Sequence, residues 1–267
     1  MNPVVSPRAP EILVFDSGIG GLSIARCLHR QVPAARLTHL ADNAGFPYGN
    51  QAEETVIERT VGLVTEQLRQ RPVDVIVLAC NTASTVALPA LRAATDIPVV
   101  GVVPAIKPAA ALSGNRRIGL LATPATVRRP YLEGLIGEFA GDCRIVRVGH
   151  PDLVTWIEEW ARGRPMPEPA LSVALQPFRE AAVDTMVLGC THYPLITGVL
   201  QRLLPDVRFW VDSGEAIARR TLHLLEVAGF DREEMQRYPG SGHRCLFSGP
   251  VMDDIDHFLD ALGFVRE

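Results

Sequence analysis

The chain has 267 residues, 47% of them hydrophobic and 21% charged, with a net charge of -4. That length gives one large or two small domain cores. The mild acidity and the absence of long single-sign blocks speak against nucleic acid as a partner. No apolar run approaches the roughly 20 residues needed to span a bilayer, and the opening MNPVVSPRAP lacks the order of a secretion signal. It reads as a disordered lead-in, and the expected location is cytoplasmic.

Five cysteines and no CxxC do not make a disulfide framework in a cytosolic chain. The close pair Cys190 and His192 has no second Cys/His pair near it in sequence, so no metal is expected. Lysine occurs once, at Lys107 before Pro108. A pyridoxal phosphate enzyme needs a Schiff-base lysine, so cofactor chemistry of that kind has one candidate residue at most. No cofactor is expected.

In chain order, Ile12–Phe15 is a short apolar run that ends at the turn Asp16-Ser17-Gly18. The glycines that follow resemble a dinucleotide fingerprint, but Ser23 stands where the last glycine is required. A strand end is expected at Leu40-Ala41-Asp42, followed by the turn Phe46-Pro47-Tyr48-Gly49. Residues 53–70 carry Val56, Thr60, Leu63 and Leu68 at helical spacing. Val73–Leu78 is a β-branched run leading into Ala79-Cys80-Asn81-Thr82, and Ile97–Val103 is another strand candidate. Strand-like runs return at 118–121, 145–148, 186–188 and 207–211. A helix over 214–228, a strand over 244–247 and a helix over 253–262 close the chain. Apolar strands alternating with helices imply parallel sheets covered on both faces.

The chain also repeats itself. VDVIVLAC, ending at Cys80, matches VDTMVLGC, ending at Cys190, 110 residues later. The flanks keep step: EILVFDSG pairs with RIGLLATP, and PVVGVVPA with RFWVDSGE. Two strands of this common type can arise separately, but keeping the flanks in step is harder to obtain by chance. The expected fold class is α/β, with two pseudo-symmetric domains, each a mostly parallel sheet flanked by helices, and an active site in the cleft between them. Residues 1–98 and 211–267 form the first lobe and 99–210 the second.

Each repeat cysteine ends a strand, at the sheet edge where open α/β folds bind ligands. Asn81-Thr82 and Thr191-His192 follow, and Asn and Thr are helix-capping types. Helix N-termini favour thiolates and bind carboxylates. Inverting a chiral carbon requires a proton to leave one face and another to arrive on the opposite face. Two tuned thiols in related half-sites suit that task. A lone cysteine is ordinarily a small buried hydrophobe, and Cys27, Cys143 and Cys245 are left in that role. Asp16 and Ser17 would reach the same edge as Cys80, where an acid can hold the thiol proton or pair with a substrate ammonium.

Together VFDSGIGGLS (14–23), FPYGNQ (46–51), LACNTAS (78–84), VGVVPAIKPA (100–109), LGCTHYPLI (188–196) and VDSGEAIA (211–218) resemble glutamate racemase, of the aspartate/glutamate racemase family. The resemblance implies cofactor-independent interconversion of L- and D-glutamate, supplying D-glutamate for peptidoglycan. It implies Cys80 and Cys190 as the catalytic acid/base pair. Asp16 would serve beside the first cysteine, and His192, backed by Glu158, beside the second. Ser17, Tyr48, Gly49, Asn81, Thr82, Thr123, Thr126 and Thr191, with Asp16 and His192, match substrate-binding positions, and Asp42 matches an acid without an assigned role. The sequence departs from the family at His150-Pro151, where Cys often precedes the proline, and at Thr155 and Trp156, which replace Pro and Leu. Glutamate is the expected partner and a homodimer the candidate assembly. The alternatives are a racemase for aspartate or another amino acid, a two-lobed amino-acid-binding protein without catalysis, and a thiol redox protein.

Overall fold

The computed structural model of the chain describes residues 8–237, 240, 242–251 and 253–267. Most of the expected lead-in, residues 1–7, lies outside the described residues. The chain divides into two compact units, one running to Val102 and resuming at Gly214, the other spanning Val103–Ser213.

The first unit is built on β1 (Glu11–Asp16), β2 (Arg36–Ala41), β3 (Val75–Leu78) and β4 (Val99–Gly101). The second is built on β5 (Arg117–Ala122), β6 (Arg144–Gly149), β7 (Thr185–Leu188) and β8 (Phe209–Val211). The chain then returns to the first unit with β9 (His243–Phe247) and β10 (Phe264–Arg266). The strand orders are β10-β9-β2-β1-β3-β4 and β6-β5-β7-β8, and every pairing is parallel.

The internal repeat is therefore a repeat of topology. The order β2-β1-β3-β4 reappears as β6-β5-β7-β8, with β9 and β10 added at one edge of the first sheet. The registers agree to the residue: Phe15 faces Leu78 and Leu121 faces Leu188. Just beyond those pairs, Ala79 N–H donates to Phe15 O and Gly189 N–H to Leu121 O, each at 2.8 Å. Each cysteine thus follows the same hydrogen bond at the same sheet edge.

The unit boundaries fall a few residues later than 98/99 and 210/211. β4 hydrogen-bonds to β3 and so belongs to the first sheet, while β8 pairs with β7 and ends the second. In the helix Glu53–Gln70 the fully buried stripe is Val56, Thr60 and Val64, with Leu63 and Leu68 only partly buried against the core. Glu53 and Glu54 in its first turn and Arg69 in its last complement the helix dipole. The returning helix Gly214–Val227 packs on the helix Gly21–Gln31, which joins the C-terminal segment to the first unit. The last expected helix is a 3-10 turn, Asp253–Ile255, followed by Asp256–Ala261, and β10 follows it. Among the described residues no helix is long and apolar enough to cross a membrane.

Candidate active site

Parallel strands place their carboxyl ends on one edge, so the turns after β1, β2 and β3 meet there in the first unit. Asp16 ends β1, and its main-chain oxygen accepts from Asp42 N–H at 2.8 Å. The Asp16 carboxylate accepts from the Ser17 N–H at 2.6 Å and from the Ser17 hydroxyl at 3.3 Å. Cys80 Sγ lies 4.0 Å from the same hydroxyl. Cys80, Ser17 and Asp16 are therefore contiguous, and all three are buried.

Cys80 itself occupies the cap position of the helix Asn81–Val86, so Asn81 and Thr82 are its first helical residues and not its caps. Ser84, one turn on, donates to Leu78 O at 2.8 Å and accepts from Val102 N–H at 2.9 Å, which fixes the turn from beneath. Asn81 Oδ1 is buried with no hydrogen-bond partner among the described residues. Such an acceptor normally finds a donor, and a ligand N–H is one that suits it.

The turn after β2 carries the 3-10 turn Tyr48–Asn50, with Gly49 in its middle. Tyr48 is buried, and its hydroxyl donates to Asp42 Oδ2 at 2.5 Å. Burial of that ring and its bond to Asp42 push the phenol pKa up, so the hydroxyl keeps its proton. The first turn is held from outside the motifs by His39. Its fully buried ring meets Gly18 O through Nε2 at 3.0 Å. A methyl group on Gly21 would come within 2.7 Å of that ring, which explains glycine there. The sequence gives no role to His39, or to Ser84 at the end of LACNTAS, because their partners are main-chain atoms that no side-chain motif announces.

In the second unit the equivalent edge holds Thr123 after β5, His150 after β6 and Cys190 after β7. Thr123 caps the short helix Pro124–Val127. Its hydroxyl accepts from Thr126 N–H at 3.2 Å and lies 2.9 Å from the Thr126 hydroxyl. Thr191 is buried beside Cys190. His192 Nδ1 is 3.8 Å from Cys190 Sγ, and its Nε2 is 2.9 Å from Glu158 Oε1, on the helix Leu153–Ala161. Burial acts to lower the imidazole pKa, but the bonds to Cys190 and Glu158 outweigh it and raise it well above the usual range. With both nitrogens protonated, Nε2–H donates to Glu158 and Nδ1–H points at the sulfur.

No α-helix opens directly after Cys190. A 3-10 turn, Tyr193–Ile196, precedes the helix Thr197–Leu203, so the expected helix dipole is replaced by the His192 charge. The Tyr193 hydroxyl is buried and unpartnered among the described residues. Two of the departures touch: the His150 and Trp156 rings lie 4.6 Å apart, tilted by 55°.

The lone lysine, Lys107, places its ammonium 5.0 Å from the Phe139 ring centroid. Among the described residues no group of His, Cys, Asp or Glu side chains has the arrangement to hold a metal ion.

Comparison with known proteins follows the same lines. A family model for Asp/Glu/Hydantoin racemase matches residues 12–221. A glutamate racemase from Sodalis glossinidius is 48% identical over 260 residues, covering 96% of this chain and 89% of its own. One from Vibrio cholerae is 44% identical, with 97% and 96% covered. The crystal structure of Escherichia coli glutamate racemase, in complex with L-glutamate and the activator UDP-MurNAc-ala, superposes with a TM-score of 0.88 at 40% identity, covering 97% of each chain. Sequence shared along nearly the whole length, on a shared fold, leads to one assignment: the chain belongs to the Asp/Glu/Hydantoin racemase family, among its glutamate racemases.

Proposed function

We propose that the protein interconverts L- and D-glutamate without a cofactor, using Cys80 and Cys190 as the two acid/base groups. The observation that carries this is the matched pair of half-sites. Each puts a buried cysteine one residue past the same strand-end hydrogen bond. Each also buries a polar atom with no hydrogen-bond partner among the described residues, Asn81 Oδ1 beside Cys80 and Tyr193 OH three residues past Cys190.

In the proposed cycle one sulfur, as thiolate, takes the α-proton: a C–H bond breaks and an S–H bond forms. The other sulfur, as thiol, delivers its proton to the opposite face: an S–H bond breaks and a C–H bond forms. The protonation states of the two sulfurs are exchanged at the end of each turnover, and proton exchange of the free enzyme with water, or turnover of the opposite enantiomer, resets them. Negative charge moves onto the substrate carboxylate as the α-proton leaves, and donors placed there lower the barrier. Ser17, Thr82, Thr123, Thr126 and Thr191 are the hydroxyl donors for the substrate carboxylates, and Tyr48-Gly49 completes that set. Asn81 Oδ1, an acceptor, suits the ammonium group. On the second side the His192 imidazolium, 3.8 Å from Cys190 Sγ, stabilises the negative charge that appears when that sulfur loses its proton. Glu158 holds the ring in place. On the first side Asp16 acts through Ser17 beside Cys80.

The product would be D-glutamate for peptidoglycan, made in the cytoplasm. The test is direct: purified protein is added to L-glutamate with nothing else, and the circular-dichroism signal is followed. Decay of the signal to zero is the expected result. A constant signal, with glutamate binding intact, would make the protein a binder and not a racemase.

A further inference from the structure

The buried Asp42 is the residue whose position the proposed chemistry does not itself explain. Its side chain is fully buried, and a buried carboxylate without donors is strongly unfavourable. Both oxygens are fully engaged. Oδ2 accepts from the Tyr48 hydroxyl at 2.5 Å and from Arg59 Nε at 2.6 Å. Oδ1 accepts from Arg59 Nη2 and from the Ser248 hydroxyl, each at 2.5 Å. Burial alone would raise this carboxyl's pKa, but the bonds to Arg59, Ser248 and Tyr48 win and lower it, so the group stays charged. With its acceptor positions filled, Asp42 has little left to offer a substrate and can act only through the residues it holds.

Those residues come from three places in the chain. Tyr48 belongs to the turn after β2, Arg59 to the helix Glu53–Gln70, and Ser248 to the segment just after β9. The last contact is reinforced. Ser248 N–H donates to Ala41 O at 3.0 Å, and Gly249 N–H to Asn43 Oδ1 at 2.8 Å. Asn43 Nδ2 donates to Pro250 O at 2.9 Å, and Ala44 N–H to Ser248 Oγ at 3.2 Å. Gly45 has no room for a methyl group, which would lie 2.4 Å from Arg59 Nε and 2.6 Å from Asp42 Oδ2.

We propose that Asp42, clamped by Arg59 and Ser248, is the positioning residue of the Phe46–Gly49 turn, and that the closing segment at 248–250 thereby takes part in substrate binding. The proposal rests on the racemase reading above. It assigns the C-terminal return of the chain a role in the site, beyond completing the first sheet.

The experiment measures KM and kcat for L-glutamate, with thermal midpoints, for the wild-type chain, Ser248→Ala, Ser248→Thr, Arg59→Lys and Asp42→Asn. Loss of the Ser248 hydroxyl is expected to raise KM about fivefold, the size of one lost hydrogen bond, with kcat within about twofold. Threonine restores the hydroxyl and is expected to bring KM back. Arg59→Lys, which cannot donate twice in one plane, is expected to raise KM further. If Asp42→Asn does not fold, the Ser248 pair still decides. Folded Ser248→Ala and Arg59→Lys proteins with lowered midpoints but wild-type KM would overturn the proposal and leave the racemase reading standing. A wild-type protein without turnover would sink both.

Discussion

At the residue scale the two cysteines sit in chemically different surroundings. Cys80 has a hydroxyl and, through it, a carboxylate; Cys190 has an imidazolium backed by a carboxylate. Because L- and D-glutamate are mirror images, their equilibrium constant is one. Thermodynamics then forces kcat/KM to be the same in both directions in every variant. His192→Asn is expected to lower kcat/KM by about 100-fold, the low end of what a placed acid/base group contributes. The asymmetry should appear in the α-deuterium isotope effect on kcat, which is expected to rise for one enantiomer more than for the other. Glu158→Gln keeps the bond to Nε2 but removes the charge, and its effect is expected to be smaller and of the same kind. Equal isotope effects from both enantiomers of His192→Asn would contradict a role confined to one sulfur.

At the element scale the site depends on strand ends arriving level. Gly119, in the middle of β5, shows how closely the second sheet is packed. A methyl group there would lie 2.3 Å from Met186 Sδ and 2.8 Å from Phe178 Cδ1, both on fully buried side chains. Gly119→Ala is therefore expected to cost about 1–3 kcal/mol, read as a lower denaturant midpoint with unchanged slope. An unchanged midpoint would mean that the packing is looser than drawn. The same scale separates what the sequence could reveal from what it could not. The strands bearing Asp16, Cys80 and Cys190 were legible because each is a local apolar run stopped by a turn, and the repeat reinforced two of them. Of the edge strands, β4 lies within the expected run 97–103, but β10, three residues long, carries no pattern that announces it. The Asp42 cluster was out of reach for a related reason. Its Ser248 bond spans 206 residues, and no local pattern ties Arg59 or Ser248 to Asp42. The helix-cap reading of Asn81 and Thr82 missed by one position, since cap and first-turn preferences overlap and the cysteine itself takes the cap.

At the scale of the whole molecule two histidines give stability opposite dependences on pH. His243, in β9, accepts from Leu37 N–H through Nδ1 at 3.2 Å, and its Nε2 lies 3.1 Å from His29 Nδ1. Burial, with His29 alongside, lowers its pKa to about 4. The folded state therefore favours the neutral ring, and its contribution is full above the unfolded value of about 6.5 and is lost as pH falls from there towards 4. His192 runs the other way. Its raised pKa gives a contribution that is full below about 6.5 and fades as pH climbs through the folded value. The thermal midpoint is expected to fall on acidification from pH 6.5 to 4. His243→Asn, which can still accept from Leu37, is expected to flatten that fall, and an unchanged acid slope in that variant would remove His243 as its cause.

The central claim is that two sulfurs, one from each repeat, move the α-proton of glutamate. The most direct measurement incubates L-glutamate in D2O with the wild-type chain, Cys80→Ala and Cys190→Ala. Each reaction is followed by chiral chromatography with mass detection. The expected result is deuterated D-glutamate from the wild type and none from either variant. Racemisation that continues in either alanine variant would contradict the account.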